Sequence, residues 1–369
     1  MKYYIIAGEA SGDLHASNLM KEIKKRDAAA VFRCWGGDKM KEQGGELVKH
    51  YKELAFMGFA EVISNLRTIL RNIAFCKKDV LSYNPDVLIL VDYPGFNLRI
   101  AKYAQKHGLK VFYYISPQVW AWKQSRVKLI KEVTDKLFVI LPFEKEFYAR
   151  FDCDVDFVGH PLLDAIENDP LPALKVIDNI DDDKPLVALL PGSRKQEVSR
   201  LLPVMSQVAI ENPKYRYIVA GTSSVPKEVY AGCLDGTDVL IEYDNTYALL
   251  GAADAALVTS GTATLETALF GVPEVVCYKG SPISYMIAKQ VIKTKYISLV
   301  NLIMDRKVVS ELIQGECNAK NMGNELKKIL NQDTQSSKMI EDFKELKEKL
   351  GGSGASANAA EGMLKALKE

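Results

Sequence analysis

Short, nearly unbroken apolar runs alternate with amphipathic stretches along the whole chain. The runs Tyr3–Ala7, Val31–Trp35, Val87–Val91, Val111–Ile115 and Leu137–Ile140 have the length of strands and no polar face. A second set follows at Leu186–Leu190, Tyr217–Ala220, Val239–Glu242, Ala255–Val258 and Val275–Tyr278. Continuous apolar strands separated by helices indicate parallel sheets covered on both faces. The rhythm stalls once, between Gly159-His160-Pro161 and Lys184-Pro185, where Pro170, Pro172 and the acidic run Asp181–Asp183 read as a linker. The pattern therefore predicts an α/β protein of two Rossmann-like, doubly wound domains facing a cleft, 1–168 and 169–345. A helical segment, 346–369, completes the chain. In it Gly351-Gly352-Ser353-Gly354 breaks the helix before a last one from about Ala357 to Lys368. That helix can cross back onto the first domain, or swap to a second copy and make a homodimer.

Length and charge narrow the function classes. A chain of 369 residues suits two domains, and 48 basic against 47 acidic residues leave a net charge of +1. Bulk charge argues for neither a nucleic-acid binder nor a membrane-coating protein, and no nucleic-acid partner is expected. The cysteines (Cys34, Cys76, Cys153, Cys233, Cys277 and Cys317) show neither zinc spacing nor a disulfide framework, as free thiols in a reducing cytoplasm would. Met1-Lys2 leads straight into the first strand, so no signal peptide is expected, and no apolar run reaches the length of a membrane span. His15, His50, His107 and His160 have no metal-ligand spacing, and Asp152, Asp154 and Asp156 alternate as in a half-solvated strand. No metal or other cofactor is expected.

Ligands in doubly wound sheets sit outside the carboxyl ends of the strands, which directs attention to the turns there. Ser260-Gly261-Thr262-Ala263-Thr264-Leu265-Glu266 joins a strand pattern to a helix pattern. Such a turn aims backbone N–H groups at an anion, and Glu266, one helical turn on, can accept from ribose hydroxyls. The same segment reads equally well as an ordinary strand–turn–helix with a polar cap. Leu189-Leu190-Pro191-Gly192-Ser193-Arg194 closes another strand; Arg194 can clamp a phosphate, with the Ser193 hydroxyl assisting. The first strand ends in Gly8-Glu9-Ala10-Ser11-Gly12-Asp13, which is not G-x-G-x-x-G. Gly8, Glu9, Ser11 and Asp13 there suit sugar hydroxyls better than phosphate. Asp92, at a strand terminus beside Tyr93 and Phe96, is a candidate general base through partial desolvation, against the plainer reading of a turn aspartate before proline.

Ile63, Leu66, Ile69, Leu70 and Ile73 recur at helical spacing with Arg67, Arg71, Lys77 and Lys78, and 64–78 contains no acid. Such a helix can lie in an anionic lipid interface or turn its stripe to a core. Trp120 and Trp122, after a strand, can line an acyl channel or fill a loop.

Seven segments in order carry a family resemblance: GEASGD (8–13), ELAFMGFAEV (53–62), SPQVWAW (116–122), LPFEKEF (141–147), LPGSR (190–194), SGTATLE (260–266) and SLVNLI (298–303). Together they resemble the bacterial lipid-A-disaccharide synthase family from about residue 3 to residue 345. The resemblance implies a GT-B glycosyltransferase fold, a cytoplasmic location with peripheral association to the anionic inner-membrane surface, and metal-independent inverting chemistry. The implied reaction joins UDP-2,3-diacylglucosamine to 2,3-diacylglucosamine 1-phosphate, giving a β(1→6) disaccharide 1-phosphate and UDP. It assigns the base to Asp92, the essential arginine to Arg194, the diphosphate and ribose sites to Ser260, Gly261, Thr262 and Glu266, and an active-site asparagine to Asn301. The family commonly has a second aspartate three residues after the base, where this chain has Gly95. The competing expectations are a UDP-sugar 2-epimerase of the same fold and a non-catalytic lipid-binding protein on a membrane surface.

Overall fold

The computed structural model describes residues 1–54, 66–167, 173–174, 176, 183–281, 285–286, 294–331 and 334–369, without the side chains of Trp122 and Thr334. Two compact units divide the chain: Met1–Asn168 with Leu350–Glu369, and Asp169–Lys349.

The first unit is built on seven strands: β1 (Lys2–Ala7), β2 (Val31–Gly36), β3 (Glu46–His50), β4 (Val87–Val91), β5 (Val111–Tyr114), β6 (Lys136–Val139) and β7 (Asp156–Phe157). They pair in parallel in the order β3-β2-β1-β4-β5-β6-β7. The second unit holds β8 (Leu186–Leu190), β9 (Arg216–Gly221), β10 (Leu240–Tyr243), β11 (Ala255–Thr259), β12 (Glu274–Tyr278) and β13 (Ser310–Ile313). Their order is β10-β9-β8-β11-β12-β13, again parallel throughout. Both sheets reverse direction beside their first strand, between β1 and β4 and between β8 and β11. Those are the switch points at which doubly wound sheets bind ligands.

All ten sequence-predicted strands are present. The remaining three, β3, β7 and β13, are edge strands whose residues are exposed or only half-buried, so no continuous apolar run marks them. The alternation Asp152-Asp154-Asp156, read as a half-solvated strand, becomes strand only at Asp156, since Asp152 sits in a turn with φ +51°. In the middle of each sheet β4, β8 and β11 are buried at every position, as strands covered on both faces must be.

The last helix, Ala355–Lys368, packs on the first, Ala10–Arg26. Its buried residues are Ala355, Ser356, Ala359, Ala360, Met363 and Ala366, all but the methionine small enough to let two helices approach closely. Among the described residues no helix is long and apolar enough to cross a membrane.

Candidate functional site

At the first switch point β1 and β4 end level, with Ala7 opposite Val91. Gly8 and Asp92 are the next residues of each chain. A Cβ on Gly8 would lie 2.3 Å from the Tyr93 ring, so only glycine lets that ring cross the strand end. The Tyr93 hydroxyl is anchored by donating to the Leu54 carbonyl at 3.2 Å. Asp92 and Tyr93 both hold left-handed backbone conformations, with φ of +44° and +50°. Two consecutive non-glycine residues there store strain, and something must hold them. The Tyr113 hydroxyl (2.6 Å) and the Asn97 amide (2.7 Å) donate to the Asp92 carbonyl, while the Asp92 N–H donates to Tyr114 at 3.2 Å. The half-buried Asp92 carboxyl is pushed up to about 6, first by burial and then by the charge of Glu9. Strain and a raised pKa on one residue at a switch point mark it as a candidate base.

The rest of the glycine-rich turn divides. Glu9 is half-buried beside Asp92, and Ser11 is exposed on the first turn of its helix. Asp13 is not directed to a sugar: it is buried and accepts from the backbone N–H groups of Gly37 (2.7 Å), Lys39 (3.2 Å) and Met40 (3.1 Å). It caps the short helix Asp38–Glu42 and ties it to the first helix. Gly95 is exposed, and a Cβ there would meet nothing within 4 Å.

At the second switch point Leu190 of β8 lies opposite Val258 of β11, which sets the turns 191–194 and 259–262 side by side. Gly192 has φ +111°, and a Cβ would press on Glu197 at 2.4 Å. Ser193 is exposed, and its carbonyl accepts from the Ser224 hydroxyl at 3.1 Å. Arg194 leads the helix Lys195–Glu211; its guanidinium is 55% exposed and pairs with Glu197 at 3.0 Å. Across from it the Ser260 N–H donates to Cys277 (3.0 Å) and its hydroxyl to Ile297 (2.9 Å). Gly261, with φ +156° and ψ −160°, opens the helix Thr262–Leu269 in a conformation essentially reserved for glycine. Gly261 and Thr262 are exposed, and the first N–H groups of a helix have no intrahelical acceptor. An anion placed there meets donors and the positive end of the dipole. Glu266 accepts from the Tyr247 hydroxyl at 3.1 Å, and burial raises its pKa.

Asn301 does not reach this rim. It is fully buried, donating to Val309 (3.0 Å) and Glu311 (2.9 Å) and accepting from Val308 (2.7 Å) and Val309 (3.0 Å). With all four side-chain bonds satisfied inside the unit, it braces the segment entering β13.

The basic amphipathic segment forms the helix Leu66–Tyr83 and is two-faced. Leu66 and Leu70 are 49% and 53% exposed, Phe75 is exposed with them, and Ile69 is half-buried. Ile73 is not on that face: it is buried with Cys76 and Val80 against the unit. Ile63 lies outside the described residues. Trp120 is also withdrawn from the surface, buried with its ring edge-to-face on Phe143 at 4.9 Å, and the side chain of Trp122 lies outside the described residues.

Some structural partners went unread in the sequence. Tyr113 and Tyr247 support Asp92 and Glu266 from other elements with no local signal, and Asn97 supports Asp92 from five residues on, inside the same turn-and-helix segment. Glu144 is buried, accepts from Ile140 (3.2 Å) and Leu141 (2.9 Å), and is pushed up to about 7 by burial. Its place as the first glutamate of LPFEKEF was its only mark.

Comparison with known proteins bears on the family and the fold. A family profile described as lipid-A-disaccharide synthetase matches residues 3–364. A lipid-A-disaccharide synthase of Syntrophus aciditrophicus is 42% identical, the alignment covering 99% of this chain and 97% of that protein. Among solved structures, the UDP-GlcNAc 2-epimerase of Neisseria meningitidis bound to UDP-GlcNAc superposes with a TM-score of 0.70 at 12% identity, covering 99% of this chain and all (100%) of that one. The calicheamicin glycosyltransferase superposes at 0.63 and 16% identity, covering 100% and 98%. At such identities these structures establish the fold, the GT-B arrangement of two parallel α/β domains, which glycosyltransferases and epimerases share. The sequence decides between them: with a family profile over nearly its whole length and a relative at this identity, the chain belongs to the lipid-A-disaccharide synthetase family.

Proposed function

We infer that the protein transfers a 2,3-diacylglucosaminyl group from UDP to the 6-hydroxyl of 2,3-diacylglucosamine 1-phosphate. The observation that carries this reading is Asp92, strained, half-buried and pushed up to about 6, at the end of a central strand. In the transfer the acceptor oxygen bonds to the anomeric carbon of the donor, and the bond from that carbon to the UDP oxygen breaks with inversion. UDP leaves with the electron pair, and the hydroxyl proton passes to Asp92. The anion is received by the exposed N-terminus of the helix Thr262–Leu269 and by Arg194, while Glu266 holds the ribose. Glu9 and Ser11 face the acceptor sugar; Gly8, buried under the Tyr93 ring, makes room for that ring, and Asp13 and Asn301 act as internal braces.

Association with an anionic bilayer belongs to the same reading. Exposed Leu66, Leu70 and Phe75, accompanied by Arg67, Arg71 and Lys78, supply apolar contact and positive charge.

The test is mass spectrometry of a detergent reaction containing both lipid substrates. A tetra-acyl disaccharide 1-phosphate with free UDP is expected, and Asp92→Asn should lower kcat by roughly 100-fold or more. An epimerised sugar without disaccharide, or near-normal turnover in folded Asp92→Asn, would overturn the reading or the role of Asp92 respectively.

A further inference from the structure

We propose that a depression at the outer end of the second sheet's rim holds an acyl chain of the donor, and so measures that chain's length. The proposal rests on the reading of function above. The depression has a volume of about 640 Å³, inside the roughly 300–1,000 Å³ range of small-molecule sites. Its lining comes from 279–281, after β12, and from Gln314, Gly315, Cys317 and Asn318, after β13, with Arg200, Tyr285 and Met286 around them.

Its place ties it to the diphosphate turn. The Ser260 N–H donates to the Cys277 carbonyl at 3.0 Å, so Lys279 and Gly280 leave the sheet right beside Ser260–Thr262. The Gln314 N–H donates to Tyr278 at 2.8 Å, and Lys279 Nζ donates to the Cys317 carbonyl at 3.5 Å; these bonds join the two loops into one wall. A donor with its diphosphate on the helix end therefore has this depression within reach of the groups attached to its sugar.

Its chemistry selects the occupant. The lining residues include two cations and no acid, yet the wall itself is mostly carbon. Gly315 leaves backbone carbon bare, the stems of Arg200 and Lys279 add methylenes, and Met286 is 65% exposed. A bare sugar would leave that carbon wet, whereas a fatty chain on an anionic head satisfies both wall and rim. Each methylene that leaves water contributes about fourfold in affinity, so a few additional carbons decide which donor is preferred.

Gly315 provides the means of testing. It is exposed, outside the left-handed region, and a Cβ there would meet nothing within 4 Å, so Gly315→Phe can place a bulky side chain at the depression without backbone strain. Met286→Glu is a second, independent variant on an exposed side chain. Calorimetry with the full-length protein would compare UDP, UDP-2,3-diacylglucosamine and a short-chain analogue, alongside disaccharide formation. Expected are unchanged UDP affinity, a loss of about tenfold or more for the long-chain donor in both variants, and little loss for the short-chain analogue. Equal affinities of wild type and both variants for the long-chain donor would overturn the proposal, as would an equal loss for short and long chains. A wild type that forms no disaccharide but binds the long-chain donor in a Gly315-dependent way would sink the activity and support the depression. Disaccharide formation unaffected in KM by either variant would do the reverse.

Discussion

A carboxylate that removes a proton from an alcohol must be ionised when substrate arrives and basic enough to hold what it takes. Asp92 meets both demands with a pKa pushed to about 6, and Glu9 contributes by like charge. Activity should therefore rise as pH passes through about 6, because only the ionised form accepts the proton. Glu9→Gln removes the neighbouring charge and should move that acid limb to lower pH in a kcat/KM profile; superimposable limbs would end Glu9's part in tuning the base. Stability runs the other way. The folded pKa of about 6 lies above the ordinary 3.8, so Asp92's contribution is fully present below about pH 4 and is lost as pH rises through 6. Asp92→Asn should thus be more stable than the parent at pH 8 and no different at pH 4, by thermal melting at each pH. Asp92 and Arg194 stand out as candidates in the sequence because their strands end in turns of unusual composition. The inward bonding of Asp13 and Asn301 is not legible there for a physical reason: a polar residue in such a turn looks the same whether it faces a ligand or a neighbouring backbone. Asp13's acceptances come from Gly37, Lys39 and Met40, more than twenty residues along the chain.

Elements were legible where burial is symmetric and obscure where it is not. Central strands such as β4 and β11 announce themselves as unbroken apolar runs, whereas β3, β7 and β13 sit at edges and read as ordinary polar chain. The helix Leu66–Tyr83 is the reverse case, since one amphipathic pattern serves two surfaces. Ile73, Cys76 and Val80 take the core, leaving Leu66 and Leu70 outside. Leu66→Glu with Leu70→Glu should weaken sedimentation with anionic vesicles by roughly tenfold or more while leaving the melting temperature unchanged. Ile73→Glu should instead lower the melting temperature, and equal vesicle binding by the double variant and its parent would remove this face from the membrane. Within β12, Glu274 is fully buried, and its carboxylate has no hydrogen-bond partner among the described residues. Burial raises its pKa well above 4.5, so its contribution to stability is present below that pH and declines as pH rises toward the folded value. Glu274→Gln should make stability less dependent on pH and raise it at pH 8; a steeper loss with pH in the variant would contradict this.

At the scale of the whole chain, the first unit is discontinuous: the chain leaves it at Asn168 and returns at Leu350. The junction is a stitched seam. The His160 N–H donates to Leu350 at 3.1 Å, Asn358 donates to Val158 at 3.1 Å, and Gly159 and Gly351 meet with left-handed φ of +90° and +89°. Asp164 closes the seam by accepting from the N–H groups of Gly354 (2.6 Å) and Ser356 (2.8 Å), capping the last helix. Around it lie the buried His15 and His160, whose pKa values burial lowers to about 4 and about 3, so both are neutral near pH 7. Asp164→Ala would strand two backbone donors at a buried helix start, at about 1–3 kcal/mol, and loosen a helix that the first unit needs. The second unit, continuous from Asp169 to Lys349, contains none of this seam. Calorimetric melting of Asp164→Ala should therefore show a lowered transition for the first unit, while UDP affinity, which the proposed function assigns to the second, stays at the parent value. Should UDP affinity fall in step with that transition, the two units are not energetically separable. Should neither change, the return helix is held by its alanine face alone and the Asp164 cap is dispensable.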